Sequence, residues 1–95
     1  MDDSKKPSSQ KIQIQAKEET SMGRFSNSMF IAHGPEEFII DWLLNSPTGA
    51  HLVSRIIVSP GHVKRIISAL TDNLKRYEEK YGEIKLVEPE EQKLH

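Results

Sequence analysis

The sequence predicts an α+β domain: a four-stranded antiparallel meander followed by one long C-terminal helix, with disordered tails. Three observations predict it. Short runs of alternating or β-branched apolar residues recur before Pro60. Clusters of Gly, Pro, Asn and Ser separate them. After Ser59-Pro60 the apolar spacing lengthens to that of a helix. The boundaries expected are a disordered tail over 1–10, one β-β-β-β-α domain over 11–86, and a disordered acidic tail over 87–95.

The first strand is read at Lys11 to Lys17, where Ile12, Ile14 and Ala16 face one way and Gln13 and Gln15 the other. That is a half-buried strand at a sheet edge. Thr20-Ser21-Met22-Gly23 is a loop. Phe25 to His33 is the second strand, and Gly34-Pro35 turns the chain into a third, Glu36 to Leu44. Asn45-Ser46-Pro47-Thr48-Gly49 is rich in turn residues. Leu52 to Val58, β-branched and apolar on both faces, is the fourth strand. Ser59 suits an N-cap, because its hydroxyl can accept a free backbone N–H. Pro60 suits the first helical position, where its missing donor costs nothing. The helix should run from Pro60 to Tyr81 and stop at Gly82.

A turn centred on Gly34-Pro35 would pair Ile31 with Phe38 and Met29 with Ile40. One face, A, then holds Phe25, Met29, Ile31, Phe38, Ile40, Trp42, Leu44, Leu52, Ile56 and Val58. This face is the natural seat for the helix. The opposite face, B, holds Phe30, Ile39, Leu43, Val53 and Ile57, with Asp41 facing Arg55. A four-stranded sheet is about 19 Å wide and a helix about 10–12 Å across, so one helix cannot cover both faces. Face B is therefore the expected interaction surface. A charge on such a face needs a partner, and Asp41–Arg55 reads as an ion pair that fixes register or as a polar contact at a subunit boundary.

Val63, Ile67, Leu70, Leu74, Tyr77 and Tyr81 form a heptad seam on the helix. Two uses are open. The whole seam can pack on the chain's own sheet, or its second half, Leu74, Tyr77 and Tyr81, can overhang and pair with another helix.

Net charge is −1, from 13 Lys plus Arg and 14 Asp plus Glu, and this gives no global attraction to nucleic acid or anionic membrane. With no cysteine, disulfides, thiol chemistry and thiolate zinc sites are excluded. No apolar run approaches the roughly 20 residues that span a bilayer, and Met1 to Pro7 lacks the apolar core of a secretory signal. The expectation is a soluble cytoplasmic protein. His33, His51, His62 and His95 show no metal-ligand spacing on a shared element. No nucleophile elbow, phosphate loop or acid–base pair can be picked out. No enzymatic activity, catalytic residue, metal or cofactor is expected.

Ser26-Asn27, the Glu37-Phe38-Ile39-Ile40-Asp41-Trp42 strand, the Arg55 to Pro60 junction, and Tyr77-Glu78 with Tyr81-Gly82-Glu83-Ile84 together resemble a family of small prokaryotic proteins described as a domain of unknown function. Its pattern is an EF-x-x-D-aromatic strand, an R-I-hydrophobic-x-S-P junction and a Y-E-x-x-aromatic-G-x-I helix end, matched over roughly residues 24–84. The resemblance implies no activity. In element order alone the chain is also similar to SecB-type export chaperones, which place four antiparallel strands before a long helix.

The functional expectation is a non-enzymatic, self-associating adaptor or scaffold module, a homodimer first of all. The interface candidates are Phe30, Ile39, Asp41, Leu43, Val53, Arg55, Ile57, Leu74, Tyr77 and Tyr81. One alternative is a chaperone-like binder of unfolded or extended polypeptide. Another is a nucleic-acid-associated protein using Lys64 and Arg65, with Lys11, Lys17 and Arg24.

Overall fold

A computed structural model describes residues 12–87. The expected tails, 1–10 and nearly all of 87–95, lie outside the described residues. The chain runs α1 (Glu18–Met22), β1 (Ser28–His33), β2 (Phe38–Ser46), β3 (Gly49–Val58) and α2 (Pro60–Tyr81). The strands form an antiparallel sheet in the order β1-β2-β3. The α+β class and the C-terminal helix are as expected, and the sheet has three strands where four were expected.

The missing strand is the one read at residues 11–17. Residues 12–17 carry no regular structure and join no ladder among the described residues. Alternation decides which side chains share a face, but a strand exists only where a neighbour pairs its N–H and C=O groups. The loop expected at 20–23 is instead the end of α1: Ser21 Oγ donates to the Glu18 carbonyl at 2.7 Å, and Gly23 ends the turn with φ +81°. The strand expected from Phe25 begins at Ser28, which leaves Phe25 exposed and outside the ladder.

The first hairpin closes at His33 and Phe38, so Ile31 faces Ile40 and Met29 faces Trp42. This corrects the expected pairing of Ile31 with Phe38 and Met29 with Ile40. The turn occupies 34–37, with the Gly34 N–H donating to the Glu37 carbonyl at 3.0 Å. Pro35 therefore holds the second turn position, where its fixed φ is favoured, rather than the third. The slip is an even number of residues, so every side chain keeps its face.

The second hairpin turns tightly at Pro47-Thr48, with Ser46 opposite Gly49, whose φ of +123° favours glycine. The register set by this turn changes once, between Trp42 and Leu43.

α2 ends where expected. The Ser59 hydroxyl accepts from the His62 N–H at 3.2 Å, Pro60 opens the helix, and Gly82 (φ +100°) closes it with its N–H on the Glu78 carbonyl at 2.9 Å. The expected packing of α2 on face A is not found. Strand contacts strand closely, but the helix shares no comparable contact with any strand, and none of its residues is buried.

Ile40, 8% exposed, is the one buried hydrophobic side chain among the described residues. It sits on the middle strand, flanked by Ile31 and Ile56. The radius of gyration is 17.4 Å and the long axis 55 Å. A compact chain of this length has a radius of about 12 Å.

Candidate functional site

The site begins with a problem of parity. The turn between Ser46 and Gly49 pairs Leu43 with Leu52, Leu44 with His51 and Asn45 with Ala50. Continued unchanged, that register would set Asp41 against Ser54 and Ile40 against Arg55, burying a guanidinium beside the core. A bulge prevents this. Val53 is the extra residue on β3, so Trp42 faces Ser54, Asp41 faces Arg55, Ile40 faces Ile56 and Ile39 faces Ile57.

The bulge also redistributes side chains between the faces. Val53 was expected on face B; it lines a groove with Trp42 and Ser54 on the opposite side. Leu52 was expected on face A; it pairs with Leu43 and joins face B. Alternation alone cannot reveal a residue that interrupts it, although two apolar neighbours, Leu52-Val53, abutting a turn that demands odd spacing are the available sign.

Face B thus consists of three cross-strand rows: Ala32–Ile39–Ile57, Phe30–Asp41–Arg55, and Ser28–Leu43–Leu52. Ile39 and Leu43 are half-buried; Phe30, Leu52 and Ile57 are exposed, Ile57 to 62%. Across the centre of this surface Arg55 Nε donates to Asp41 Oδ1 at 2.7 Å and Arg55 Nη2 donates to Oδ2 at 2.9 Å. A two-pronged contact between planar groups is the strongest geometry such a pair can take. The hydrogen bonds from Arg55 hold the Asp41 carboxyl below its ordinary value, against a smaller opposing effect of desolvation. The same contact raises the Arg55 pKa. The pair is wetter on one side: the Arg55 side chain is 55% exposed and that of Asp41 15%.

The end of the sheet is fastened by two residues that precede β1. The Asn27 side chain acts as a piece of backbone, its Nδ2 donating to the Asn45 carbonyl at 3.0 Å and its Oδ1 accepting from the Asn45 N–H at 2.8 Å. Ser26 Oγ lies 2.8 Å from the Leu43 carbonyl and donates to it. Sequence reading noted these two residues as part of a pattern but gave them no role.

The helix candidates lie apart from face B on their own element. Leu74, Tyr77 and Tyr81 are exposed, as are Ile67 and Leu70 in the half of the seam expected to touch the sheet. The Tyr77 and Tyr81 rings meet at 4.9 Å. Glu78 fastens the chain past the helix end, its Oε2 accepting from the Ile84 N–H at 2.9 Å. Of the basic residues, Arg24 lines the groove beside Trp42, which includes neither Lys64 nor Arg65; Lys11 lies outside the described residues. No group of three His, Cys, Asp or Glu residues able to hold a metal occurs among the described residues. No described helix is long and apolar enough to cross a membrane.

Fold and site together define a small α+β module, a three-stranded meander followed by a C-terminal helix, with exposed apolar side chains on both the sheet and the helix. The chain belongs to a protein family of unknown function, DUF3467, whose model it matches over residues 1–86. No curated protein and no solved structure matches it. The expected order of four strands before the helix, which made the chain similar to SecB-type chaperones, is not met among the described residues, where three strands precede α2.

Proposed function

We propose that this chain is a non-enzymatic, cytoplasmic adaptor or scaffold module that works as a self-associated species, a homodimer in its smallest form. One observation carries the reading. A single hydrophobic side chain is buried among the described residues, while the apolar seam of α2 and much of face B stand in water.

Such a protomer lacks the burial that offsets chain entropy. α2 makes the point alone. A helix of 22 residues without a buried side chain draws no support from packing, and packing is what normally stabilises helices in proteins. A second copy supplies it: seam against seam in coiled-coil fashion, and face B against face B around a two-fold axis. A large, apolar, obligate interface of this kind resembles a domain core cut in half.

Sedimentation equilibrium across a dilution series tests the reading. A mass of two chains or more, falling only at low concentration and accompanied by loss of helix signal, is the expected result. A folded species with the mass of one chain at every concentration would overturn it. If that single chain also kept a denatured client from aggregating, the exposed surface would belong to clients instead of to a second copy.

A further inference from the structure

We infer that α2 pairs antiparallel with α2 of a second copy, in the register that sets Lys64 against the partner's Glu78. The inference rests on the self-association proposed above and gives one of its contacts an orientation.

The seam of α2 is graded in size. Its smallest member, Val63, stands near the N-terminal end, and its two rings, Tyr77 and Tyr81, close the C-terminal end. Ile67, Leu70, Leu74, Tyr77 and Tyr81 are all exposed within one chain. Facing positions pack densely when large side chains meet small ones. A parallel pair sets each seam residue against itself, so that ring stacks on ring at one end and Val63 meets Val63 at the other. An antiparallel pair centred on Asp72 sets Val63 against the partner's Tyr81, Ile67 against the partner's Tyr77 and Leu70 against the partner's Leu74.

The residues beside the seam select the same arrangement. Lys64, Thr71 and Glu78 line one flank, and Ile66, Asn73 and Lys80 line the other. Flanking charges set the orientation of paired helices. In the antiparallel register each flank meets its own copy. Lys64 faces the partner's Glu78, twice by symmetry, and the Lys80 stem lies along the partner's Ile66 with its ammonium in water. A parallel pair sets one flank against the other, Thr71 with Ile66 and Glu78 with Asn73, and brings no opposite charges together.

The same two residues are ill placed on their own helix. Lys64 stands in the second turn, near the positive N-terminal pole, and Glu78 in the last turn, near the negative C-terminal pole. Antiparallel pairing puts each beside the favourable pole of the partner helix. Lys64 has no acidic residue three or four positions away on α2. It cannot reach Glu78 of its own chain, which lies about 21 Å along the helix. Glu78 gives Oε2 to the Ile84 N–H, and Oε1 is the atom that meets the partner's Lys64.

Two measurements on the full chain test this. In sedimentation equilibrium, Lys64→Glu and Glu78→Lys should each weaken association several-fold, on the order of fivefold for two exposed pairs. Glu78→Lys also loses the Ile84 contact, so the deciding comparison is made in its background. There Lys64→Glu, harmful in the wild type, should strengthen association. The chain has no cysteine, so single cysteines report orientation. Thr71→Cys should be linked to its counterpart by a short bis-maleimide, whereas Tyr81→Cys, about 27 Å from its counterpart in this register, should not. No gain on adding Lys64→Glu to Glu78→Lys, or linkage through Tyr81→Cys in place of Thr71→Cys, would overturn the antiparallel pair and leave self-association standing. A wild type that is a single chain throughout would overturn both.

Discussion

Arg55 and Asp41 meet in a two-pronged contact at 2.7 and 2.9 Å across β3 and β2, one residue pair beyond the bulge that brings them opposite each other. The pair predicts a pH dependence of known sign. Arg55 holds the Asp41 carboxyl below its ordinary value of 3.8, so the folded state binds that proton more weakly than the unfolded chain. The contribution is present in full above the ordinary carboxylate range and is lost as pH falls through the depressed value. Thermal melts of wild type and Asp41→Asn should be well separated at neutral pH and converge in acid, below about pH 4. A separation that persists unchanged into acid would show that the ion pair does not distinguish them.

The bulge predicts that the pairing of β2 with β3 does not depend on residue 53 itself, which faces no partner. Val53→Ala keeps the extra residue and loses part of a half-buried side chain, a cost of about 1 kcal/mol. Deleting Val53 removes the unpaired residue and leaves Trp42 opposite Ser54 and Asp41 opposite Arg55 in an unbroken ladder. The deletion variant should therefore keep a cooperative urea melt and keep the acid sensitivity that Asp41 gives the wild type. Loss of that sensitivity on deletion would mean that the register is set elsewhere.

How much of this was legible depended on the range of the force involved. The helix limits follow from Ser59, Pro60 and Gly82, whose effects are local, and they agree with the structure. The Asp41–Arg55 opposition followed from face parity and also holds, though it requires a bulge that alternation does not announce. The Gly34-Pro35 turn was misplaced because both its residues favour turns while Pro35 alone fixes the position. Lys11 to Lys17 were read as a strand because their side chains alternate, but alternation does not supply a hydrogen-bonded neighbour, and residues 12–17 join no ladder among the described residues. The seam of α2 was visible in the spacing of Ile67, Leu70 and Leu74, whereas its exposure was not, because spacing shows which side chains share a face and not what that face meets.

Asn27 predicts an asymmetry between two substitutions. Its amide both donates to and accepts from Asn45. Asn27→Ala removes both bonds and should destabilise by about 1–2 kcal/mol, given roughly 1 kcal/mol net for each. Asn27→Asp keeps an acceptor for the Asn45 N–H but sets a carboxylate against the Asn45 carbonyl. Chemical denaturation at neutral pH should therefore rank wild type above both variants, and acidification should recover part of the loss for Asn27→Asp only, as its carboxyl regains a donor. Identical pH responses would exclude the clamp.

Ile57→Glu separates stability of the protomer from stability of the assembly. Ile57 is 62% exposed within one chain, so the substitution should change the intrinsic stability of the sheet by no more than about 0.5 kcal/mol. Across a two-fold interface the carboxylate instead meets the apolar rows of the facing sheet, with Ile39 beside it and Arg55 committed to Asp41. Loss of buried side-chain area alone contributes about 1.5–3 kcal/mol per protomer, and each 1.4 kcal/mol is about tenfold in the dissociation constant. Sedimentation of Ile57→Glu should show dissociation at concentrations where the wild type is intact. Leu74→Ala, on the helix seam, should weaken association as well, by a smaller factor. If Leu74→Ala acts and Ile57→Glu does not, the helices pair and face B stays free. If neither acts, the assembly is held by a different surface and the apolar rows of face B serve another purpose.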